Sequence, residues 1–168
     1  ANLASSAENK VSIAQIGGLE ALTKQLIEGG DGEQENAAVA LQNLSLLEAN
    51  QIALAECGGL EALVQLLDTG TPVAKARSAA ALWNLAAHAD NKQRIAAAGG
   101  VKLLLGLLEH DSASVKENSA GALRSLSADP ENQAQIVASG GLTPLTRMLS
   151  DRSTMAQEMV SATLRNLS

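Results

Sequence analysis

Four residues with hydrogen-bonding side chains recur at one phase of this sequence. Asn43, Asn84 and Asn166 share a register set by a spacing of 41 residues, and Ser125 stands at the remaining position. A carboxamide carries one acceptor and two donors, so a single asparagine can bond both the N–H and the C=O of a passing main chain. A hydroxyl is shorter and has fewer such groups. The series therefore predicts equivalent contacts interrupted by one gap.

The same spacing organises the whole chain. A pair of adjacent glycines returns every 41 residues, at positions 17–18, 58–59, 99–100 and 140–141. A period of this length is typical of arrays in which each repeat buries its core against its neighbours. We predict one domain over 1–168, with the tail of a preceding repeat at 1–4 and repeats at about 5–45, 46–86, 87–127 and 128–168. Because the chain starts and stops at the same point of the unit, we expect an excerpt from a longer array.

The second repeat shows how each unit folds. Asn50 is predicted to cap a short first helix, which Gly58 and Gly59 end because glycine permits a left-handed turn. Leucines at helical spacing from Leu60 onward predict a second helix, and Pro72 suits the first turn of a third. No strand pattern is present. The sequence predicts an all-α fold with three helices in each repeat.

The segment that closes each repeat carries a family resemblance. It reads ALQNLS, ALWNLA, ALRSLS and TLRNLS at residues 40–45, 81–86, 122–127 and 163–168. With the three helices and the glycine corner, it resembles the armadillo repeat over the whole chain. The rival two-helix HEAT repeats lack the short first helix and that corner. The resemblance implies a right-handed alpha solenoid, or superhelix, whose third helices line a concave groove.

In families of this kind the closing asparagine holds the main chain of an extended peptide. The resemblance therefore implies contacts at Asn2, Asn43, Asn84 and Asn166, with Ser125 as the gap. The alternative is that each asparagine satisfies backbone groups within its own repeat, as polar side chains near helix ends often do.

Three arginines lie near the same predicted face. Arg77, Arg124 and Arg165 would form a basic track suited to an acidic or phosphorylated partner segment, as in the beta-catenin-like branch. The alternative is that these arginines are solvated and pair with Glu117 and Glu158 on their own helices. Both interpretations stay open at the level of sequence.

Trp83 and Asn118 are the other candidate contacts of the groove. Trp83 is the only aromatic residue, and beside Asn84 it would be a natural binding anchor, although it could instead pack against the next repeat. In the nuclear-import branch a tryptophan stands four residues before each asparagine. The matching positions here hold other residues, Val39, Ala80, Gly121 and Ala162, which argues against binding of basic import signals.

Composition and charge exclude several functional classes. The net charge is −6, and residues 5–45 carry two basic against six acidic side chains, which disfavours nucleic-acid binding. No apolar stretch is long enough to cross a membrane and no cleavable leader is present. Cys57 is the only cysteine and occupies a small junction position, which fits a reducing cytoplasmic and/or nuclear compartment.

Nothing in the sequence indicates catalysis or a cofactor. His88 and His110 lack the neighbouring ligands of a metal site, and no glycine-rich loop follows a strand. Glu35, Glu117 and Glu158 recur at one position, which is typical of a solvated helix edge rather than of paired catalytic carboxylates. We expect no enzyme, no metal and no cofactor.

The prediction is a non-catalytic protein–protein interaction scaffold that binds an extended peptide along the third helices. One alternative is an assembly module that stacks end to end through uncapped terminal repeats. The other is the substrate-recruiting arm of a larger ubiquitin ligase, because plant-type ligases carry stretches similar to residues 35–38 and 82–85.

Overall fold

A computed structural model describes residues 7–168 as a chain of helices, three to each repeat. The predicted tail at residues 1–4, with Asn2, lies outside the described residues. In the described range there are twelve helices and no strand, so the all-α prediction is confirmed. The first helices of the repeats are α1 (Ala7–Gln15), α4 (Glu48–Glu56), α7 (Ala89–Ala97) and α10 (Pro130–Ala138). The second are α2 (Gly18–Glu28), α5 (Gly59–Thr69), α8 (Gly100–Leu107) and α11 (Leu142–Met148). The third are α3 (Asp31–Leu44), α6 (Pro72–Leu85), α9 (Ala113–Leu126) and α12 (Thr154–Leu167).

The two glycines of each corner have different physical roles. Gly58 has φ 79° and ψ 7°, in the left-handed region that a side chain disfavours. Gly59 has no such backbone, but a Cβ atom there would lie 2.2 Å from the Leu54 side chain and 2.8 Å from Thr23 Oγ1. The first glycine therefore makes the turn, and the second lets the first and second helices approach.

The third helices form the continuous layer of the solenoid, packing in the order α3, α6, α9, α12. Leu41, Leu82 and Leu123 hold one position of the repeat and are fully buried. Small residues on the same helices let their backbones come close, since Ala79 and Ala120 are also fully buried. The second helices pack behind this layer, so one core runs along the described chain.

The predicted cap at Asn50 was wrong. The first helix of that repeat begins at Glu48 with Leu47 as its N-cap, so Asn50 lies inside the first turn. Its Nδ2 donates to Leu44 O at 3.1 Å and to Lys10 O at 3.3 Å. The amide thus satisfies carbonyl groups of the preceding repeat rather than the N–H groups of its own helix.

This bridge recurs along the solenoid. Asn91 Nδ2 donates to Leu85 O at 3.1 Å and to Gln51 O at 3.5 Å, and Asn132 Nδ2 donates to Lys92 O at 3.3 Å. The three bridging asparagines are at most 4% exposed. Each joins the start of one repeat to the preceding one. Leu44 and Leu85 are the last residues of their third helices, whose carbonyls lack partners within the helix, whereas the other acceptors belong to first helices.

Replacement of Asn91 by alanine should destabilise the chain. Two buried hydrogen bonds would be lost, while Leu85 O keeps its bond from His88 N, so we expect the free energy of unfolding to fall by about 1–2 kcal/mol. Denaturant unfolding measures this change. Asn43→Ala is the matched control, because Asn43 is half-exposed; similar losses in the two variants would contradict the bridging role.

Two buried hydroxyl groups predict the opposite effect. Ser78 Oγ and Ser119 Oγ are fully buried and have no hydrogen-bond partner among the described residues, whereas the first repeat has Ala37 at the same position. Ser78→Ala and Ser119→Ala should each raise the free energy of unfolding by about 1 kcal/mol, because an unpaired buried hydroxyl is costly. Ser127→Ala is the control. Its hydroxyl is bonded, so that variant should be less stable than the unmodified chain.

Candidate functional site

Asn84 is held in a fixed orientation by the preceding repeat. Its Nδ2 donates to Ser45 Oγ at 3.0 Å and to Gln42 O at 3.3 Å, while Ser45 Oγ donates to Gln42 O at 2.8 Å. Because the serine proton is directed at the carbonyl, its oxygen accepts from the carboxamide. Asn84 Oδ1 accepts no hydrogen bond from any described residue, so the amide is anchored by its donors and keeps its acceptor free.

The same arrangement occurs at Asn166. Its Nδ2 donates to Ser127 Oγ at 3.0 Å, and Ser127 Oγ donates to Arg124 O at 2.8 Å. Asn43 is half-exposed and its side chain bonds no described residue. The sequence alternative placed the asparagine bonds within one repeat, but the bonds of Asn84 and Asn166 cross to the preceding repeat.

Ser125, which interrupts the asparagine series, is accompanied by a second substitution in the preceding repeat. It is half-buried, and its hydroxyl bonds no described residue. The preceding repeat has Ala86 where the others have Ser45 and Ser127. The junction that lacks the asparagine therefore also lacks the serine that would anchor it. Both members of the asparagine–serine pair are replaced together.

Trp83 packs against the following repeat while keeping part of its ring accessible. The indole lies over Gly121 in α9, where an added Cβ would be 2.5 Å from Cε3 and 2.6 Å from Cδ2. Trp83 is only half-buried and contacts the edge of the core. The indole ring thus occupies space that is open because Gly121 has no side chain.

The three arginines are exposed on separate third helices. Arg77 Nη1 lies 3.3 Å from Gln42 Oε1, and Arg124 Nη1 lies 3.5 Å from Met159 Sδ. Arg165 lines an open part of the α12 surface. None of the three forms an ion pair within the described chain, so the alternative pairing with glutamates of their own helices is not found.

The recurring glutamates have a structural role that the sequence did not reveal. Glu35 Oε1 accepts from Thr71 Oγ1 at 2.5 Å, and Glu117 Oε1 accepts from Ser153 Oγ at 2.6 Å. Thr71 and Ser153 are the N-caps of α6 and α12. The prediction of a solvated helix edge is wrong for these two half-buried carboxylates, and it describes only Glu158, which is exposed.

Asn118 borders a cleft between the N-terminal halves of α6 and α9. Its Nδ2 donates to Ala76 O at 3.1 Å across the two repeats. The cleft has a volume of about 190 Å³ and is also lined by Arg77, Ser112, Ser114 and three apolar residues, Pro72, Val73 and Ala76. The structure thus brings Arg77 and Asn118 together, whereas Arg124 and Arg165 lie on the later helices.

An ion pair joins the next junction along the groove. The Lys116 ammonium contacts the Asp151 carboxylate, which also accepts from Ser153 N at 2.9 Å. The hydrogen bond from Lys116, and after it the bond from Ser153 N, holds the pKa of Asp151 below its ordinary value of 3.8.

Sequence reasoning missed Ser45, Ser127 and Gly121. Each contacts a candidate residue about 40 positions away, and the signal available for the serines was their place in the closing motif. Within residues 7–168, no three His, Cys, Asp or Glu side chains form a group able to hold a metal ion. No helix of this range has the length and apolarity that crossing a bilayer requires.

Comparison with known families agrees with this architecture. The family profile described as Armadillo/beta-catenin-like repeat matches residues 48–87, 88–128 and 129–168. The chain belongs to this family. Comparison with curated proteins found no match.

Solved armadillo structures resemble the chain closely. An engineered protein solved by the Northeast Structural Genomics Consortium is 29% identical, with TM-score 0.92 over 98% of this chain and 68% of that one. Computationally designed armadillo repeat proteins for modular peptide recognition are 27% identical, with TM-score 0.92 over 98% and 70%. A designed armadillo repeat protein in complex with the peptide (KR)4 is 24% identical and shares the fold with TM-score 0.90 over 98% and 70%.

The Lys116–Asp151 pair predicts a pH-dependent contribution to stability. Because the folded pKa of Asp151 is depressed, the contribution is present above the ordinary value of 3.8 and is lost as the pH falls through the folded pKa. Asp151→Asn should lower the free energy of unfolding by roughly 1 kcal/mol at pH 7, since partial exposure screens the pair. The difference should shrink below about pH 4.

Denaturant unfolding at pH 7 and in acid measures both effects. Glu158→Gln is the matched control, because Glu158 is exposed and forms no hydrogen bond or ion pair among the described residues. An equal loss of stability for Asp151→Asn at both pH values would contradict the ionic contribution.

Proposed function

We propose that this armadillo array is a non-catalytic scaffold that binds an extended peptide along the face of its third helices. The observation that carries the proposal is the anchored carboxamide of Asn84 and Asn166. Their donors are held by Ser45 and Ser127, while their acceptor oxygens bond no described residue. Pre-orienting a polar group before binding lowers the entropy that association costs.

The spacing of the helices fits an extended chain. Third helices packed side by side lie about 8–10 Å apart, and an extended strand advances about 3.3 Å per residue. Each repeat therefore spans two to three peptide residues. A peptide held by Asn84 and Asn166 would cross the Ser125 position between them, where the main chain has no carboxamide to bond.

The charges of the groove favour an acidic segment. Arg77, Arg124 and Arg165 are exposed and have no acidic partner within the described chain, although the protein as a whole carries a charge of −6. A carboxylate or phosphate can receive two parallel bonds from one guanidinium group. We therefore expect an acidic or phosphorylated peptide to bind better than (KR)4, the peptide bound by one designed relative.

End-to-end self-association is the second candidate, because Ser168 repeats the geometry of the anchoring serines. Ser168 Oγ donates to Arg165 O at 2.8 Å, as Ser45 Oγ does to Gln42 O. The half-exposed Asn43 of a second copy would be the matching donor. A single monomeric species in sedimentation at high micromolar concentration would exclude this arrangement.

Loss of two carboxamides should weaken peptide binding. Asn84→Ala combined with Asn166→Ala should raise the Kd of a selected octapeptide at least tenfold, taking on the order of 1 kcal/mol for each lost bond. Octapeptides selected from a random library on the unmodified chain serve as probes. Trp83 fluorescence reports binding, because the half-buried indole lies next to Asn84 and is the only tryptophan.

The matched control keeps the carboxamides and removes their anchors. Ser45→Ala combined with Ser127→Ala should weaken binding less than the asparagine pair, because the acceptor oxygens remain. Thermal unfolding of each variant verifies that it is folded. Unchanged affinity in a folded Asn84→Ala, Asn166→Ala variant would overturn the proposed function.

A further inference from the structure

Two junctions between third helices hold a carboxylate at the same place. Glu35 of α3 accepts from the N-cap hydroxyl of α6, and Glu117 of α9 accepts from the N-cap hydroxyl of α12. In both cases the hydroxyl also accepts from a backbone N–H of its own helix, Ala74 N or Ala156 N, at 3.2 Å. The repeat geometry therefore creates a carboxylate position at each of these junctions.

The junction between α6 and α9 lacks this carboxylate. Ala76 occupies the place of Glu35 and Glu117, and the hydroxyl of Ser112, the N-cap of α9, makes no cap hydrogen bond. The space that a glutamate side chain would fill is part of the 190 Å³ cleft, which is lined by both residues. This volume is many times the roughly 10–15 Å³ that one water needs.

The charge at this junction is also reversed. Arg77 stands where the first and third repeats have Asn36 and Asn118. It lines the cleft, its Nη1 donates to Gln42 Oε1 of α3, and it forms no ion pair within the described chain. His110 stands where the last repeat has Asp151, and its Nδ1 accepts from Ser112 N at 3.0 Å. Among residues 7–168, no acidic side chain lines the cleft.

Lys75 is a second basic group near the cleft. Lys75, which corresponds to Lys116, has no ion-pair partner within the described chain because His110 replaces the aspartate. The acidic groups nearby do not line the cleft: Asp111 is exposed in the loop before Ser112, and Glu35 and Glu117 accept hydrogen bonds from Thr71 and Ser153. The balance favours an anion.

We propose that this cleft receives a glutamate or aspartate side chain of the bound peptide, in the position that Glu35 and Glu117 occupy at the other junctions. The Ser112 hydroxyl donates to the carboxylate and Arg77 supplies the opposite charge. Pro72 and Val73 contact the aliphatic part of the side chain. The inference rests on the proposed function and assigns a side-chain specificity to one place in the groove.

Restoring the internal carboxylate tests the proposal. Ala76→Glu should fill the cleft as Glu35 and Glu117 do, and should raise the melting temperature because the Ser112 hydroxyl gains an acceptor. Ala76→Gln is the control of equal size without charge. Arg77→Asn introduces the residue that two other repeats carry at this position, so it should fold normally.

The probe is N-acetylglutamate α-amide, with N-acetylglutamine α-amide as its neutral match. Titration of the unmodified chain should give saturable shifts of the Ser112 and Ser114 amide resonances with the acid only. Ala76→Glu should abolish these shifts, and Arg77→Asn should weaken binding at least fivefold. If both probes bind equally, or if Ala76→Glu leaves the acid-induced shifts unchanged, the carboxylate site is overturned.

The small probe separates this proposal from the proposed function. It does not depend on main-chain contacts at Asn84 and Asn166, so it should bind the variant that lacks both carboxamides. If peptide binding requires the two asparagines but is insensitive to Ala76→Glu, the proposed function stands and the proposed carboxylate site is overturned. If the acid alone shifts the Ser112 resonance but the asparagine variant leaves peptide affinity unchanged, the carboxylate site stands. The proposed main-chain contacts at Asn84 and Asn166 are then overturned.

Discussion

The solenoid depends on hydrogen bonds that one repeat must donate to the preceding one. A third helix ends in carbonyl groups with no partner inside the helix. Asn50 and Asn91 each donate from one amide nitrogen to such a carbonyl of the preceding third helix and to a carbonyl of the preceding first helix. Both amides are buried, so their geometry is strictly required. This requirement links the helices of consecutive repeats and maintains one spacing along the chain.

Departures from the repeat occur in matched sets across the junctions. Ser125 lacks a carboxamide where Ala86 lacks the hydroxyl that would anchor one. Trp83 has an indole where Gly121 has no side chain to obstruct it. Ala76 similarly leaves the cap hydroxyl of the next helix without the carboxylate found elsewhere. Each difference changes the groove locally while the buried asparagine bridges keep the same architecture, which is how a repeat protein can vary its surface without losing its fold.

Much of the fold could be predicted because it depends on local chemistry. The left-handed turn at Gly58 and the helix start at Pro72 follow from backbone preferences of those residues, and the structure contains both. The role of Asn50 could not be predicted in this way. Capping preference placed it at the start of a helix, whereas its partners are carbonyl groups of another repeat. A local rule failed there because the decisive contact is between repeats.

The sequence by itself determined the period, the helical content and the face on which the candidate asparagines lie, because spacing and local backbone preference suffice for these. Only the tertiary structure decided which equivalent side chains meet. Asn84 donates to Ser45, Glu35 accepts from Thr71, and Arg77 has no acidic partner among the described residues. Such partners are 36 or more residues apart, and the rotation and offset of packed helices select them. The structure explains the interruption at Ser125 in the same way, because the preceding repeat has Ala86 in place of the serine that would anchor an asparagine there.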